Sequence, residues 1–131
     1  DDVRRVFINP QIISTSAELS DYEEGCLSVP GVYETIQRPA KVSVQAYNEN
    51  GKMFTLDAEG LLARIIQHEY DHLEGMLFID RGDPDVAQKT VEQFKKRAEK
   101  AEKRAAEKEA KARKIIAKKA AAEAKKAAKK A

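Results

Sequence analysis

The sequence predicts an α+β fold, in which small antiparallel sheets pack around a central helix and a long Lys/Ala-rich helix follows. Three observations support this prediction. Residues 41–57 alternate between apolar and polar side chains around an Asn-Gly pair, as a β-hairpin does. From residue 60 the apolar residues recur at helical spacing, and beyond Pro84 the chain has no Gly or Pro.

The first 39 residues contain weaker strand signals. Residues 4–13, "RRVFINPQII", combine β-branched and aromatic side chains with Pro10, which predicts an edge strand or a bend. Residues 14–25 are polar and predict a loop, whereas the apolar run at residues 26–39 is strand-like. In the hairpin that follows, Val42, Val44 and Ala46 are expected to share one face, with the turn at Asn50-Gly51.

The central helix is predicted from residue 60 to a stop at Gly75. His68 and His72 are four residues apart, so they stack one turn above the other on one side of the helix. We expect the apolar stripe of the helix to lie in the core and both imidazoles to point inward with it. The stripe consists of Leu61, Leu62, Ile65, Ile66 and Leu73.

The predicted domain organisation places a compact domain at residues 1–82 and a basic, helical extension at residues 83–131. Asp83-Pro84 is typical of a helix N-cap followed by proline in the first turn. Residues 1–94 have a net charge of about −9 and residues 95–131 of about +11. Such a basic tail favours either a solubilising charged helix or contact with RNA phosphates. No aromatic residue follows Phe94, so base stacking is not expected.

The compartment follows from cysteine usage and hydropathy. Cys26 is the only cysteine, so no intramolecular disulfide can form, and the sequence contains neither an apolar run of membrane-spanning length nor a signal-like start. These features predict a cytoplasmic protein with no membrane partner. The chain also starts without Met and within a strand-like stretch, which leads us to expect that a preceding segment is missing.

The stretch "HEYDH" at residues 68–72 has the spacing of a metal site. Two histidines four apart on a helix can reach one ion, and Glu69 beside the first can exchange a proton with the attacking water. The alternative is a polar helix face with two uninvolved histidines. Because these are the only two histidines of the chain, the pattern favours the metal site and a metal-binding central helix.

A third ligand is needed to complete such a site. The residue types alone do not decide whether this third ligand is Cys26, an acidic residue such as Glu74, or a residue outside this sequence. For a single cysteine, the alternative role is that of a small buried hydrophobic residue.

Two stretches together, "EEGCLSVPG" and "EGLLARIIQHEYDHLEGMLFID", resemble peptide deformylase over about residues 3–82. They match two of its three signature motifs, E-G-C-L-S and Q-H-E-x-D-H. The resemblance implies that Cys26, His68 and His72 bind Fe²⁺, with Zn²⁺, Ni²⁺ or Co²⁺ able to replace it. It further implies that Glu69 is the general acid and base and that the backbone N–H of Leu27 stabilises the oxyanion.

The same resemblance implies removal of the formyl group from N-formylmethionyl nascent polypeptides. In that family a C-terminal helix can dock on the ribosome, which makes rRNA the expected partner of the basic tail. Leu61 and Ile65 correspond to positions that line the methionine pocket, as does Tyr22 more loosely, although the pattern alone fits core residues as well. Gly25 corresponds to a position whose carbonyl meets the substrate backbone, or is only a turn glycine.

Three further expectations follow from the resemblance. Glu24 and Arg38 are expected to form an ion pair near the site, and Arg64 to alter the rim of the pocket. No stretch between Asp1 and Glu24 matches the family's first motif, G-x-G-L-A-A-x-Q, whose glutamine supplies an oxyanion donor. Loss of one such donor costs about 100- to 1000-fold in rate, so we expect impaired activity.

Two other function classes stay open at this point. One is a zinc peptidase of the H-E-x-x-H type with a downstream acidic ligand such as Glu74. The other is a non-catalytic protein that binds RNA or the ribosome through its basic tail. Metal loss on substitution of Cys26 but not of Glu74 separates the deformylase from the peptidase, and metal content separates both from the third class.

Overall fold

The computed structural model describes residues 3–131, so the first two positions of the predicted domain 1–82 lie outside the described residues. The α+β prediction is confirmed. Five strands precede one central helix, a short 3-10 helix at Phe78–Arg81 and one long helix. The elements are β1 (Ile8–Thr15), β2 (Leu19–Cys26), β3 (Val29–Pro39), β4 (Lys41–Tyr47), β5 (Met53–Glu59), α1 (Gly60–Leu73) and α2 (Pro84–Lys130).

The strands form two antiparallel sheets, one with the order β1-β4-β5 and one made of β2 and β3. The predicted hairpin is confirmed as β4 and β5. The side-chain oxygen of Asn48 accepts the backbone N–H groups of Asn50 and Lys52, both at 3.0 Å, and Gly51 adopts the left-handed φ of 76°. Glycine suits this position because a side chain is strained there.

One part of the core lies between the three-stranded sheet and α1. Val42, Val44 and Ala46 are buried on one face of β4, as their alternation predicts. Val42 packs with Ala58 of β5 and Ala63 of α1. Partly buried apolar residues from β1 and α1 surround this cluster, namely Ile12, Leu62 and Ile66. Strand β4 therefore joins both neighbouring strands and the helix in one core.

The loop predicted for residues 14–25 is wrong over most of its length, because residues 19–25 belong to β2. Seven of the eight β2 residues are not buried, and the one that is buried is Glu24. The strand therefore lacks the alternating apolar pattern by which strands are recognised. Its pairing with β3, from Leu19 opposite Pro39 to Gly25 opposite Tyr33, supplies the order that its composition does not suggest.

The predicted orientation of α1 is also partly wrong. Leu61, Ile65 and Leu73 are 56%, 48% and 68% exposed, so three of the five residues of the apolar stripe lie outside the core. The buried face instead carries Ala63 and three polar residues, Arg64, Gln67 and Asp71. These side chains tolerate burial because each has polar partners. Gln67 donates to the carbonyls of Pro39 and Ala63 at 2.9 and 3.1 Å, and Arg64 and Asp71 form buried ion pairs.

Helix α2 starts as predicted, because the side chain of Asp83 accepts the backbone N–H of Asp85 at 2.9 Å and Pro84 is the first helical residue. Every residue from Lys95 to Ala131 is exposed.

The chain forms two compact units, residues 1–88 and 89–131. The division into a compact domain at residues 1–82 and a basic helical extension at residues 83–131 stays a prediction. Among residues 3–131, no helix combines the length and apolar content of a membrane span.

Candidate metal centre

The structure brings Cys26, His68 and His72 together. Cys26 is the last residue of β2, and the two histidines lie one turn apart on α1. One ligand atom from each of the three lies within 4.8 Å of the others. The Sγ atom of Cys26 is 3.4 Å from Nε2 of His72. Two residues distant in sequence from the cysteine thus form one donor group with it.

The donor set fits a divalent transition metal. Bond lengths of about 2.3 Å to sulfur and 2.0–2.1 Å to nitrogen in a tetrahedral site place sulfur and nitrogen about 3.5 Å apart, close to the Cys26–His72 distance of 3.4 Å. Burial disfavours the thiolate of Cys26, but hydrogen bonds from the Ser28 backbone and from both imidazoles outweigh this effect and lower the thiol pKa to about 7. A thiolate is the form that binds metal.

Glu24 fixes the orientation of His68. Its Oε1 atom lies 2.9 Å from Nδ1 of His68, which leaves Nε2 of that ring as the nitrogen available to a metal. The ring also stacks on Phe78, with centroids 6.1 Å apart. Burial disfavours the protonated form of His68, but the hydrogen bonds to Glu24 and Cys26 and the charges of these two groups together outweigh burial and raise the pKa of the imidazole.

Glu24 is itself buried and held by two arginines. Arg38 donates from Nε to Oε2 at 2.7 Å and from Nη2 to Oε1 at 2.9 Å, so the predicted Glu24–Arg38 ion pair is confirmed. Arg64 donates to Oε2 at 2.6 Å. Burial raises the pKa of the Glu24 carboxyl, but the hydrogen bonds from Arg38, His68 and Arg64 more than offset it and lower that pKa to about 2.

A second buried carboxylate, Asp71, lies beside His72 in the sequence. Arg38 donates to it at 2.8 Å, and Arg81 of the 3-10 helix donates to both of its oxygens at 2.5 and 2.7 Å. Burial disfavours ionisation of Asp71, yet the hydrogen bonds from Arg81 and Arg38 lower its pKa. Arg38 therefore links the two carboxylates that flank the histidines.

An open cleft of about 810 Å³ adjoins His72. The exposed part of the α1 stripe lines it, including Leu61 and Ile65, and so does Glu69. The Glu69 side chain is exposed and is not part of the donor group. The cleft thus combines apolar walls with a free carboxylate beside the donor group. Its other lining residues are Val3, Arg5, Phe7, Pro10, Val44, Leu62, Ile66, Tyr70 and Leu73.

Other predicted residues lie around the donor group. Leu27 follows Cys26 in the turn after β2, with its side chain 98% exposed. Tyr22 and Gly25 lie on β2 and do not line the cleft. A β carbon on Gly25 would lie 2.6 Å from the ring of Tyr33 on the neighbouring strand, so any larger residue here would displace that ring. The roles predicted for these residues stay predictions.

Arg64 is not at the pocket rim, where the sequence analysis placed it. The side chain is buried against the β2–β3 hairpin, because the guanidinium finds a carboxylate and backbone oxygens there. Asp71 and Arg81 were missed altogether. Asp71 lies between the two histidines and is the D of the matched motif Q-H-E-x-D-H, but no role was predicted for it because a charged residue is usually solvated.

The low pKa of Glu24 predicts that the fold loses stability in acid. The pKa of the Glu24 carboxyl falls from 4.5 in the unfolded chain to about 2 in the folded chain. The ionised carboxylate therefore stabilises the fold above pH 4.5, and this contribution is lost as the pH falls toward 2. We expect the urea midpoint of the metal-free chain to fall between pH 5 and pH 3. A smaller fall is expected in Glu24→Gln, and equal falls in both chains would contradict the assignment.

Residues 1–90 match the family model described as polypeptide deformylase. The chain belongs to this family. Peptide deformylase of Treponema pallidum strain Nichols is 63% identical over 79 residues, which cover 60% of this chain and 49% of that protein. Peptide deformylase of Borreliella burgdorferi is 52% identical over 91 residues, or 70% of this chain and 55% of that protein.

The fold is likewise similar to that of solved deformylases. A crystal structure of Arabidopsis thaliana peptide deformylase 1B in complex with an inhibitor aligns with a TM-score of 0.68 and 41% identity, covering 74% of this chain and 55% of that chain. A peptide deformylase from Synechococcus elongatus in complex with actinonin aligns with a TM-score of 0.62 and 47% identity, covering 68% and 50%. The chain spans about half the length of these deformylases.

Proposed function

We propose that this protein is a metal-dependent hydrolase that removes the N-formyl group from the N-terminal methionine of nascent polypeptides. The observation that carries the proposal is the group of Cys26, His68 and His72 at the edge of an apolar cleft that also contains Glu69. Family membership supports the same reaction. We assign Cys26, His68 and His72 as the metal ligands.

The proposed metal is Fe²⁺, with Zn²⁺, Ni²⁺ or Co²⁺ as substitutes. One thiolate and two neutral imidazoles suit zinc and iron about equally in ligand softness. The preference for iron therefore comes from the resemblance of the motifs and not from the donor set. Three protein ligands would leave a coordination position open, as hydrolytic metal sites require.

Cys26, His68 and His72 would hold the metal, which would supply Lewis-acid chemistry for activating a carbonyl and a water near neutral pH. Glu69 accepts the proton of the attacking water and delivers it to the amine that leaves. The backbone N–H of Leu27 donates to the oxygen on which charge develops. Leu61 and Ile65 supply apolar walls for the methionine side chain, and the remaining substrate contacts are assigned to Tyr22 and Gly25.

The test is formate release from a formyl-Met tripeptide by the 131-residue chain loaded with Fe²⁺ or Ni²⁺. We expect formate release above the protein-free rate, and no release of free amine above that rate from the acetyl-Met analogue at the same concentration. The impaired rate expected from the unmatched first motif stays a prediction that the same assay measures. A loaded chain that binds metal but releases no formate above the blank would contradict the proposal.

Substitution of Cys26 and Glu74 separates the deformylase from a zinc peptidase. In the described residues, Glu74 is an exposed residue at the end of α1 and is not in the donor group. We expect Cys26→Ser to lower bound Zn²⁺ at least tenfold and Glu74→Gln to leave it unchanged, measured by metal analysis after gel filtration. The reverse pattern would favour the peptidase, and no bound metal in either variant or the parent would favour a non-catalytic protein.

We also propose that the basic part of α2 contacts rRNA. Residues 95–131 carry 16 Lys and Arg against 5 Asp and Glu on a fully exposed helix, and such a surface binds phosphates with strong salt dependence. Replacing four lysines of α2 with glutamine should weaken ribosome binding and flatten its salt dependence, whereas Lys41→Gln/Lys52→Gln should change neither. Salt-insensitive binding would exclude this contact. The four lysines are Lys125, Lys126, Lys129 and Lys130.

A further inference from the structure

We infer that Arg64 is a positioning residue for the proposed metal centre, acting through Glu24 on His68. This inference rests on the proposed function, because it concerns the same three ligands. Arg64 lies one turn before His68 on α1 and is only 5% exposed. A guanidinium remains charged in proteins, so its burial requires partners that compensate the charge and occupy its donors.

Those partners all lie on the β2–β3 hairpin. Nη1 of Arg64 donates to Glu24 Oε2 at 2.6 Å and to the Ile36 carbonyl at 2.9 Å. Nη2 donates to the carbonyl and the hydroxyl of Ser20 at 2.7 and 3.0 Å. Arg64 therefore fastens the helix that carries both histidines to the two strands of the hairpin whose first strand ends at Cys26.

The two oxygens of Glu24 have different neighbours. Oε2 receives Arg64 Nη1 and Arg38 Nε, whereas Oε1 lies against His68 Nδ1 and Arg38 Nη2. With Oε2 held from two sides, the carboxylate cannot rotate without losing a bond to Arg64. The other oxygen is thereby kept on His68, and the ring orientation that leaves Nε2 available to a metal is maintained.

A lysine cannot replace this arrangement. The planar guanidinium donates hydrogen bonds to Glu24 and Ile36 from one nitrogen and to Ser20 from the other. A single ammonium nitrogen is a point donor and reaches one of these sides only. A lysine side chain also ends one bond short of the position of Nη1, so Arg64→Lys keeps the positive charge but loses the 2.6 Å bond to Glu24 Oε2.

The test is a double-mutant cycle on Zn²⁺ affinity, measured by chelator competition in Arg64→Met, Glu24→Gln and the double variant. Loss of a residue that orients a ligand usually weakens metal binding about 10- to 100-fold. We expect a loss of at least about tenfold for Arg64→Met in the parent chain, and less than about twofold in the Glu24→Gln chain. Co²⁺ absorption should change in Arg64→Met, because the ring of His68 reorients.

Two further variants keep the test decisive. Arg64→Lys should lose affinity as well, even if Arg64→Met fails to fold, and Ser20→Ala should bind Zn²⁺ like the parent, because Arg64 keeps its bond to Glu24. Equal losses for Arg64→Met in both backgrounds, or parental affinity in Arg64→Lys, would reduce Arg64 to a structural residue and overturn the inference. Absence of Zn²⁺ binding by the parent chain would instead overturn the metal centre itself, and the inference with it.

Discussion

Replacing Glu69 with alanine is expected to lower formate release at least about 100-fold and to leave the bound metal unchanged. Glu69 is exposed in the cleft and outside the donor group, so its removal takes away a proton carrier and no ligand. His72→Ala is expected to lose the metal, because Nε2 of His72 faces Sγ of Cys26 at 3.4 Å. Formate assays and metal analysis on the same samples measure both effects.

The matched control for Glu69→Ala is Glu74→Ala, which removes an exposed carboxylate five residues further on, outside the cleft. It should keep the parental activity and metal content. Equal metal loss in Glu69→Ala and His72→Ala would contradict the separate roles given to the two residues. Retention of parental turnover by Glu69→Ala would remove the proposed acid and base.

The largest loss of stability is expected from Glu24→Leu. This change leaves the buried guanidinium of Arg64 without a carboxylate, and that of Arg38 with Asp71 alone, which Arg38 shares with Arg81. Removing one partner from a buried ion pair usually costs about 3–5 kcal/mol in the free energy of unfolding, because an uncompensated buried charge remains. Urea unfolding of the metal-free chain measures the effect without a contribution from metal binding.

An exposed ion pair provides the control. Lys41 and Glu59 lie 3.6 Å apart with both side chains largely exposed, so Glu59→Leu should change the free energy of unfolding by less than about 1 kcal/mol. Similar small losses for Glu24→Leu and Glu59→Leu would show that the buried network is not what holds α1 on the hairpin. Loss of cooperativity in Glu24→Leu alone would agree with the account.

Some of the fold could be predicted from local sequence. The β4–β5 hairpin and the start of α2 have turn and cap residues in the right places, Asn50-Gly51 and Asp83-Pro84, and both predictions are confirmed. Strand β2 could not be found in this way. The one buried side chain of this strand is the carboxylate of Glu24. The strand is held by its pairing with β3 and by hydrogen bonds to Glu24 from Arg38 and Arg64, which lie 14 and 40 residues further along the sequence.

The candidate site divides along the same line. The spacing of His68 and His72 predicts that they share a side of one helix, since a helix turn alone determines that geometry. The proximity of Cys26 depends on how a hairpin packs on that helix, which spacing does not encode, and the motif resemblance supplied it. The polar buried face of α1 was missed because Arg64 and Asp71 are buried only with partners from other elements.

X-ray absorption at the zinc edge of the loaded chain measures whether Cys26, His68 and His72 bind one ion together. We expect one sulfur neighbour at about 2.3 Å and two imidazole nitrogens at about 2.0–2.1 Å, with the sulfur lost in Cys26→Ser. A shell of nitrogen and oxygen alone in the parent chain, unchanged by Cys26→Ser, would contradict the joint binding of one ion by Cys26, His68 and His72.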